Sequence, residues 1–282
     1  MSRRTRRHSR QKVKRNGPSS RRRSSGNLLW VSIIIIAGVL VGGGFAAIDR
    51  FKRLSAIDVE TLCPDSGPSG ALAVLLDLTD PLEETQAIRL RTILGSEFNA
   101  ADKGTLISVG IVSEDKARWG AAYSKCKPQA VEDANPLLQN PRMIGETYND
   151  EFIVPLDQTI DSLLHAEAEQ TSPIMESLQA LIAATPALET VEGTRKIVIV
   201  SDMLQNSSVL SFYRGEFWDR FEQKNGTSRL AGSLKGTRIM LLLVPRPSSG
   251  LDDNLEVDQF WIHYFDLQGA EPDFDIRPLG DL

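Results

Sequence analysis

The sequence predicts an α/β fold: a doubly wound, mostly parallel sheet flanked by helices and preceded by one transmembrane helix. Three observations carry this expectation. Largely apolar runs recur at 71–76, 105–112, 196–200 and 237–244, as in strands buried on both faces. Segments of helical apolar spacing separate them, the alternation that covers a parallel sheet on both sides. An uncharged, strongly apolar stretch precedes them all, within 24–48.

In chain order, residues 1–26 come first. They hold eleven Lys and Arg and no acid, although the 282-residue chain has 32 basic and 37 acidic residues and a net charge of −5. The remainder is left with 21 basic against 37 acidic residues, a net of −16. A basic arm on an acidic body is not the profile of a globally basic nucleic-acid binder, so no nucleic acid is expected as partner. The arm lacks apolar periodicity and reads as disordered. Residues 27–48 are apolar over a length that spans a bilayer as a helix, with Trp30 near one end, where an amphipathic ring suits the interface. The run is longer than the core of a cleaved signal peptide. The basic excess on its N-terminal side predicts a cytoplasmic arm in contact with anionic lipid headgroups, and an extracytoplasmic body. The expected location is therefore the inner (plasma) membrane, crossed once.

Residues 49–69 read as a stalk that ends in a Pro/Gly/Ser loop. The body, 70–282, opens on the strand at 71–76. Residues 82–98 follow with helical spacing through Leu82, Ile88, Leu90 and Leu94. After the strand at 105–112 comes a short edge strand within 118–126, stopped by Pro128. Three prolines make 127–145 a long loop, and 148–168 a helix with a break expected at Pro155. Pro173 opens the helix 172–184, at a position where its missing N–H is harmless. The strand 196–200 leads to an amphipathic helix, 212–223. The strand 237–244 stops at Pro245, a helix spans 253–268, and 276–279 adds an edge strand. The aromatic stripes at 212–221 and 260–265 serve either as core or as docking surface.

Cys63 and Cys126 are the two cysteines. An even pair in an oxidising compartment points to a disulfide; two unpaired thiols are the alternative. With three His in the chain and no Cys/His metal spacing, a zinc site is not expected.

In open parallel sheets, ligands bind beyond the carboxyl ends of strands where the strand order reverses. Asp77 and Asp202 both stand at such ends, and Thr171 stands just before a helix. Asp77-Leu78-Thr79-Asp80-Pro81, Thr171-Ser172-Pro173 and Ser201-Asp202 together resemble the metal-site loops of von Willebrand factor A-like domains. Those loops read Asp-x-Ser-x-Ser, then a Thr, then a strand-terminal Asp. The resemblance covers about residues 70–282 and implies a cation (Mg²⁺, Mn²⁺ or Ca²⁺) held by Asp77, Thr79, Thr171 and Asp202. It also implies a partner carboxylate that completes the shell. Pro81 departs from the pattern, since it removes one hydroxyl ligand. A degenerate site, in which Asp77 and Asp202 hold the loops together, is therefore the alternative reading. Asp80, Ser172, Asn206 and Trp218 are the expected partner-binding residues.

The function expected is a membrane-anchored protein–protein interaction module of the cell envelope, with an envelope protein as partner. Two alternatives stay open: a metal-dependent hydrolase of phosphoester or cell-wall substrates, and a structural subunit of a secretion or transfer assembly. An enzyme is the less expected class. Asp77-Leu78-Thr79-Asp80 lacks the second Asp of a haloacid-dehalogenase loop. Ser201 lacks the glycines of a nucleophile elbow, and there is no glycine-rich phosphate loop.

Overall fold

A computed structural model describes residues 35–36, 38, 43–44, 57–135, 139–245 and 255–280. The chain divides into two compact units, Met1–Lys52 and Arg53–Leu282. In the first, residues 35, 36, 38, 43 and 44 are helical. The expected basic arm and most of the expected membrane stretch lie outside the described residues. Among the described residues, no helix is long and apolar enough to cross a membrane.

The second unit is built on one six-stranded sheet in the order β3-β2-β1-β4-β5-β6. Its strands are β1 (Gly70–Leu76), β2 (Thr105–Ile111), β3 (Tyr123–Cys126), β4 (Arg195–Ser201), β5 (Arg238–Leu243) and β6 (Asp275–Pro278). All neighbours pair in parallel except β3, which runs antiparallel to β2 at one edge. The chain builds outward from β1 through β2 to β3, then returns to β1's other side and builds outward through β4, β5 and β6. The order therefore reverses between β1 and β4, which opens a crevice beyond their carboxyl ends.

Successive residues of a strand face opposite sides of the sheet, and the core divides accordingly. Leu72, Val74, Leu76, Val198, Val200, Met240 and Leu242 pack under α1 (Glu84–Ala100) and a long helix, α2 (Pro141–Glu146 continued through Thr147–Ile153 and Val154–Leu164). Ala71, Ala73, Leu75, Ile197, Ile199, Ile239 and Leu241 pack on the other side. There they meet α3 (Ile174–Ala184), α4 (Ala187–Thr190), α5 (Trp218–Gln223), α6 (Gly226–Leu230) and α7 (Leu255–Leu267). Both faces are covered, so the strands are apolar throughout rather than alternating.

Three expectations are corrected. The expected loop 127–145 ends early, because α2 begins at Pro141, with the Asn140 side chain accepting from Arg142 N–H as N-cap. Pro155 does not break α2. The helix runs Pro141–Glu146, widens to π-helical turns over Thr147–Ile153, and continues as Val154–Leu164. The Val154 N–H reaches back to Asn149 O, so the wide turns accommodate the missing N–H that follows. The helix expected at 212–223 is interrupted by Gly215, whose φ of 68° closes a 3₁₀ turn over Phe212–Arg214; α5 starts afresh at Trp218.

Cys63 and Cys126 form a disulfide, with Cα atoms 4.8 Å apart. It fastens the segment entering the domain to the edge strand β3, beside a hydrogen bond from Cys126 N–H to Thr61 O at 2.8 Å. The neighbouring Lys127 ammonium donates to the carbonyls of Asn99 and Ala101 at 2.7 and 2.8 Å. It thereby satisfies the C-terminal end of α1, where a cation is favoured.

The bridge closes a loop across 63 residues of sequence. Chain-entropy arguments assign about 4 kcal/mol to such a closure. Replacing both cysteines by Ser is expected to lower the urea-unfolding free energy by about 2–4 kcal/mol. An equal midpoint and slope for the variant would show that the bridge adds nothing.

Candidate functional site

The register pairs Leu75 with Ile199 and Leu76 with Val200, so Asp77 comes to lie beside Ser201. The ladder continues one step further, through Asp77 N–H to Val200 O at 2.8 Å. The Asp77 side chain is buried and collects four hydrogen bonds from three segments. One carboxylate oxygen accepts from Thr79 N–H at 3.3 Å and from the Thr79 hydroxyl at 2.8 Å. The other accepts from the Ser172 hydroxyl at 3.0 Å and the Ser201 hydroxyl at 2.7 Å. A buried carboxylate without such donors would be strongly disfavoured; here each donor also fixes the loop that carries it.

The loop after β4 is tied down just as closely. Ser201 Oγ accepts from Met203 N–H at 2.8 Å, and Met203 takes the left-handed backbone conformation, φ 61°, uncommon for a residue with a side chain. The Trp261 indole N–H from α7 donates to Met203 O at 2.7 Å. Gln205 supplies the cap that α3 lacks in its own sequence: its Oε1 accepts from Met175 N–H at 2.9 Å. Glu176 then accepts from Gln205 Nε2 at 3.0 Å and from Ser207 Oγ at 2.6 Å. Asn206 pairs with Ser172 through both backbone groups, at 2.8 and 2.9 Å.

Between these loops lies a cavity of about 200 Å³, lined by Thr79, Asp80, Glu169, Thr171, Ser172, Asp202, Asn206 and Tyr213, among others. Seven of the eight expected site residues are thus in or under this crevice. Trp218 is not; it lines a different cavity, between α5 and α7. The expected residues also divide in role. Asp77 lies beneath the cavity and holds the loops. The Thr171 hydroxyl is directed to Glu114, 3.3 Å away, and one Asp202 oxygen accepts from Leu204 N–H at 2.9 Å. Ser201, Gln205 and Glu176 were not among the expected residues, yet they fasten the β4 loop to Asp77 and to α3. The signal for Ser201 was strand parity: it is two residues beyond Ile199 and so faces the side that Asp77 faces.

As arranged, the four residues expected to hold a cation all have protein partners: Asp77 meets Thr79, the Thr171 hydroxyl meets Glu114, and Asp202 meets Leu204. A carboxylate offers about four lone-pair positions, and protein donors meet Asp77 at four. Pro81 adds no oxygen from its side chain. Among the described residues, no group of three or more His, Cys, Asp or Glu is placed to hold a metal ion.

Beside the cavity, Glu216 gathers the end of the same loop. It accepts from Ser211 N–H at 2.9 Å, Arg214 Nη2 at 2.8 Å and Lys224 Nζ at 2.9 Å. Burial alone pushes its carboxyl up; the hydrogen bonds from Arg214, Lys224 and Ser211 outweigh it and hold the group down at about 2.

No family model and no characterised protein matches the sequence. The chain is similar to several solved structures. One is the conserved hypothetical protein BatB from Bacteroides thetaiotaomicron, at 11% identity and TM-score 0.38, covering 74% of this chain and 90% of that one. A second is the SpRpn10 VWA domain, at 9% identity and TM-score 0.36, covering 76% and 90%. A third is an aerotolerance-related membrane protein from Bacteroides fragilis, at 10% identity and TM-score 0.28, covering 61% and 66%. Likeness at these scores carries no argument about ligand or partner; the architecture rests on the strand order and packing given above.

Asp77→Ala strands the Ser172 and Ser201 hydroxyls and is expected to destabilise folding by about 2–4 kcal/mol; denaturant unfolding measures it, and a change within about 0.5 kcal/mol would contradict the fastening role. Glu216 gives a pH prediction. Its unfolded form takes up a proton near 4.5 and its folded form near 2, so the unfolded state binds more protons in between. The stability it contributes is complete above pH about 4.5 and lost as pH falls toward about 2. Glu216→Gln should remove that part of the acid sensitivity in melting curves taken across this range.

Proposed function

We propose that this chain is a protein-binding module of the cell envelope, anchored through residues 27–48, that docks a partner on the loops beyond β1 and β4. The observation that carries this is the Asp77 hydroxyl cluster, which ties three separate segments into one preformed rim. Preorganised loops lose little freedom on binding, and rigid strand-end loops are where sheets of this order take ligands. The von Willebrand A-like reading of the loops points to the same surface. The cavity lining holds three carboxylates, Asp80, Glu169 and Asp202, and no Lys or Arg. Glu169 is held in place by Ser113 at 2.8 Å and Arg118 at 3.1 Å. The charge favours a partner that offers a Lys or Arg side chain, with the exposed Tyr213 ring beside it. Docking in this reading needs no cation, because the Asp77 oxygens are engaged within the protein. The disulfide agrees with an extracytoplasmic body, since such bridges persist in oxidising compartments. Binding is favoured over catalysis because the buried acid is committed to holding loops.

Photo-crosslinking in cells tests the reading. A photoreactive residue placed at Tyr213 or Gln170 of the full-length chain is expected to give a discrete adduct with an envelope protein. The same residue at Asp157, on α2 and across the sheet, should give none. Adducts at neither loop position, or equally at all three, would contradict docking at the rim. Chelation with EDTA should leave the adduct unchanged; its loss would establish a cation at the site.

A further inference from the structure

We propose that the outer face of α7, with the two cavities beside it, is a second docking surface, which takes a protein segment presenting a basic side chain next to an apolar one. The surface is separate from the strand-end cavity: the two share no lining residue.

Helix α7 buries Val257, Phe260, Trp261, Tyr264 and Phe265 against the sheet. Positions 255, 259, 262 and 266 are spaced i, i+4, i+7 and i+11, so they form one stripe on the other side. In a helix that covers a sheet, that stripe is ordinarily polar. Here Leu255 is 65% exposed and Ile262 52% exposed.

A cavity flanks the stripe on each side. One, of about 420 Å³, lies toward α5 and is walled by Trp218 and His263. Their rings stack with centroids 4.1 Å apart and planes 19° from parallel. The other, of about 400 Å³, is walled by Ile262, Pro272 and Phe274. Gln259 and His263 line both, so one ligand segment crossing α7 would reach the two at once.

Charge decides the occupant. The first cavity carries Asp219 and Glu256 in its lining, and the second carries Asp266. The single cation in either lining is Arg220. Its guanidinium is turned to its own neighbours, with Nη1 donating to Gln223 at 3.0 Å and Nε 4.0 Å from Glu216. An aromatic wall beside carboxylates suits a Lys or Arg side chain. The Ile262–Pro272–Phe274 cavity suits an aliphatic one. An acidic or purely apolar segment matches only half of the surface.

The test uses the full-length protein in detergent and a fluorescein-labelled, end-blocked peptide of alternating Leu and Lys, read by anisotropy. The same-length Leu/Glu peptide is the comparison. The Leu/Lys peptide is expected to bind and the Leu/Glu peptide not to. Asp219→Asn with Asp266→Asn should weaken binding about tenfold or more. Ile262→Asp, an exposed change that spares the core, should weaken it similarly. Asp150→Asn with Asp157→Asn removes the same charge from the α2 side and should change it less than about twofold. Absence of Leu/Lys binding would overturn the proposal. So would equal weakening by the two double variants, which would mean general attraction to an acidic body.

Discussion

The loops of this domain depend on one buried carboxylate. Asp77 directly follows β1 and meets hydroxyls from its own loop, from the turn before α3 and from the end of β4. Each of those hydroxyls sits on a segment that would otherwise be free to move over the carboxyl ends of the strands. A carboxylate buried with fewer donors would be disfavoured in its charged form, and the hydroxyls without it would be buried with fewer acceptors. The cluster is therefore mutually required. The second layer, in which Gln205 caps α3 and Glu176 holds Gln205 and Ser207, depends on the first having placed the β4 loop.

The same group connects the fold to the proposed function. The reversal of strand order puts a crevice between β1 and β4, and the cluster lines its base. A binding surface built on loops usually loses affinity to loop motion. Here much of that ordering is done during folding. What stands above the base is an acidic rim with a tyrosine beside it, and the domain's charge as a whole leans the same way. The aromatic-walled ridge along α7 shares this chemistry at a separate place, so the two proposed docking surfaces both call for a basic segment.

Much of the architecture was legible in the sequence because buried strands write themselves as apolar runs. The strands expected at 71–76 and 105–112 differ from the observed ones by one residue at one end, and the strand expected at 196–200 by one residue at each end. Asp77 and Thr79 were legible too, since a polar cluster just after such a run marks a strand end. The choice between Ser201 and Asp202 was not. It turns on whether β4 ends at Val200 or one residue later, because one step along a strand moves a side chain to the other face. With Leu75 beside Ile199, parity gives Asp77 to Ser201. Ser172 in place of Thr171 was hidden for a related reason: the backbone pairing with Asn206, remote in sequence, sets which hydroxyl faces inward. Trp218 was misplaced because 212–223 has helical spacing throughout, whereas Gly215 ends one turn and lets the chain redirect before α5.

Amide hydrogen exchange on the full-length protein and its Asp77→Asn variant tests the central claim most directly. The account predicts faster exchange in the variant at Ser172, Met203 and Asn206, whose N–H groups are fixed by the cluster, while the amides of β1 and β4 keep their protection. Unchanged exchange at those three positions, in a folded variant, would contradict it: the loops would then be held by something other than Asp77.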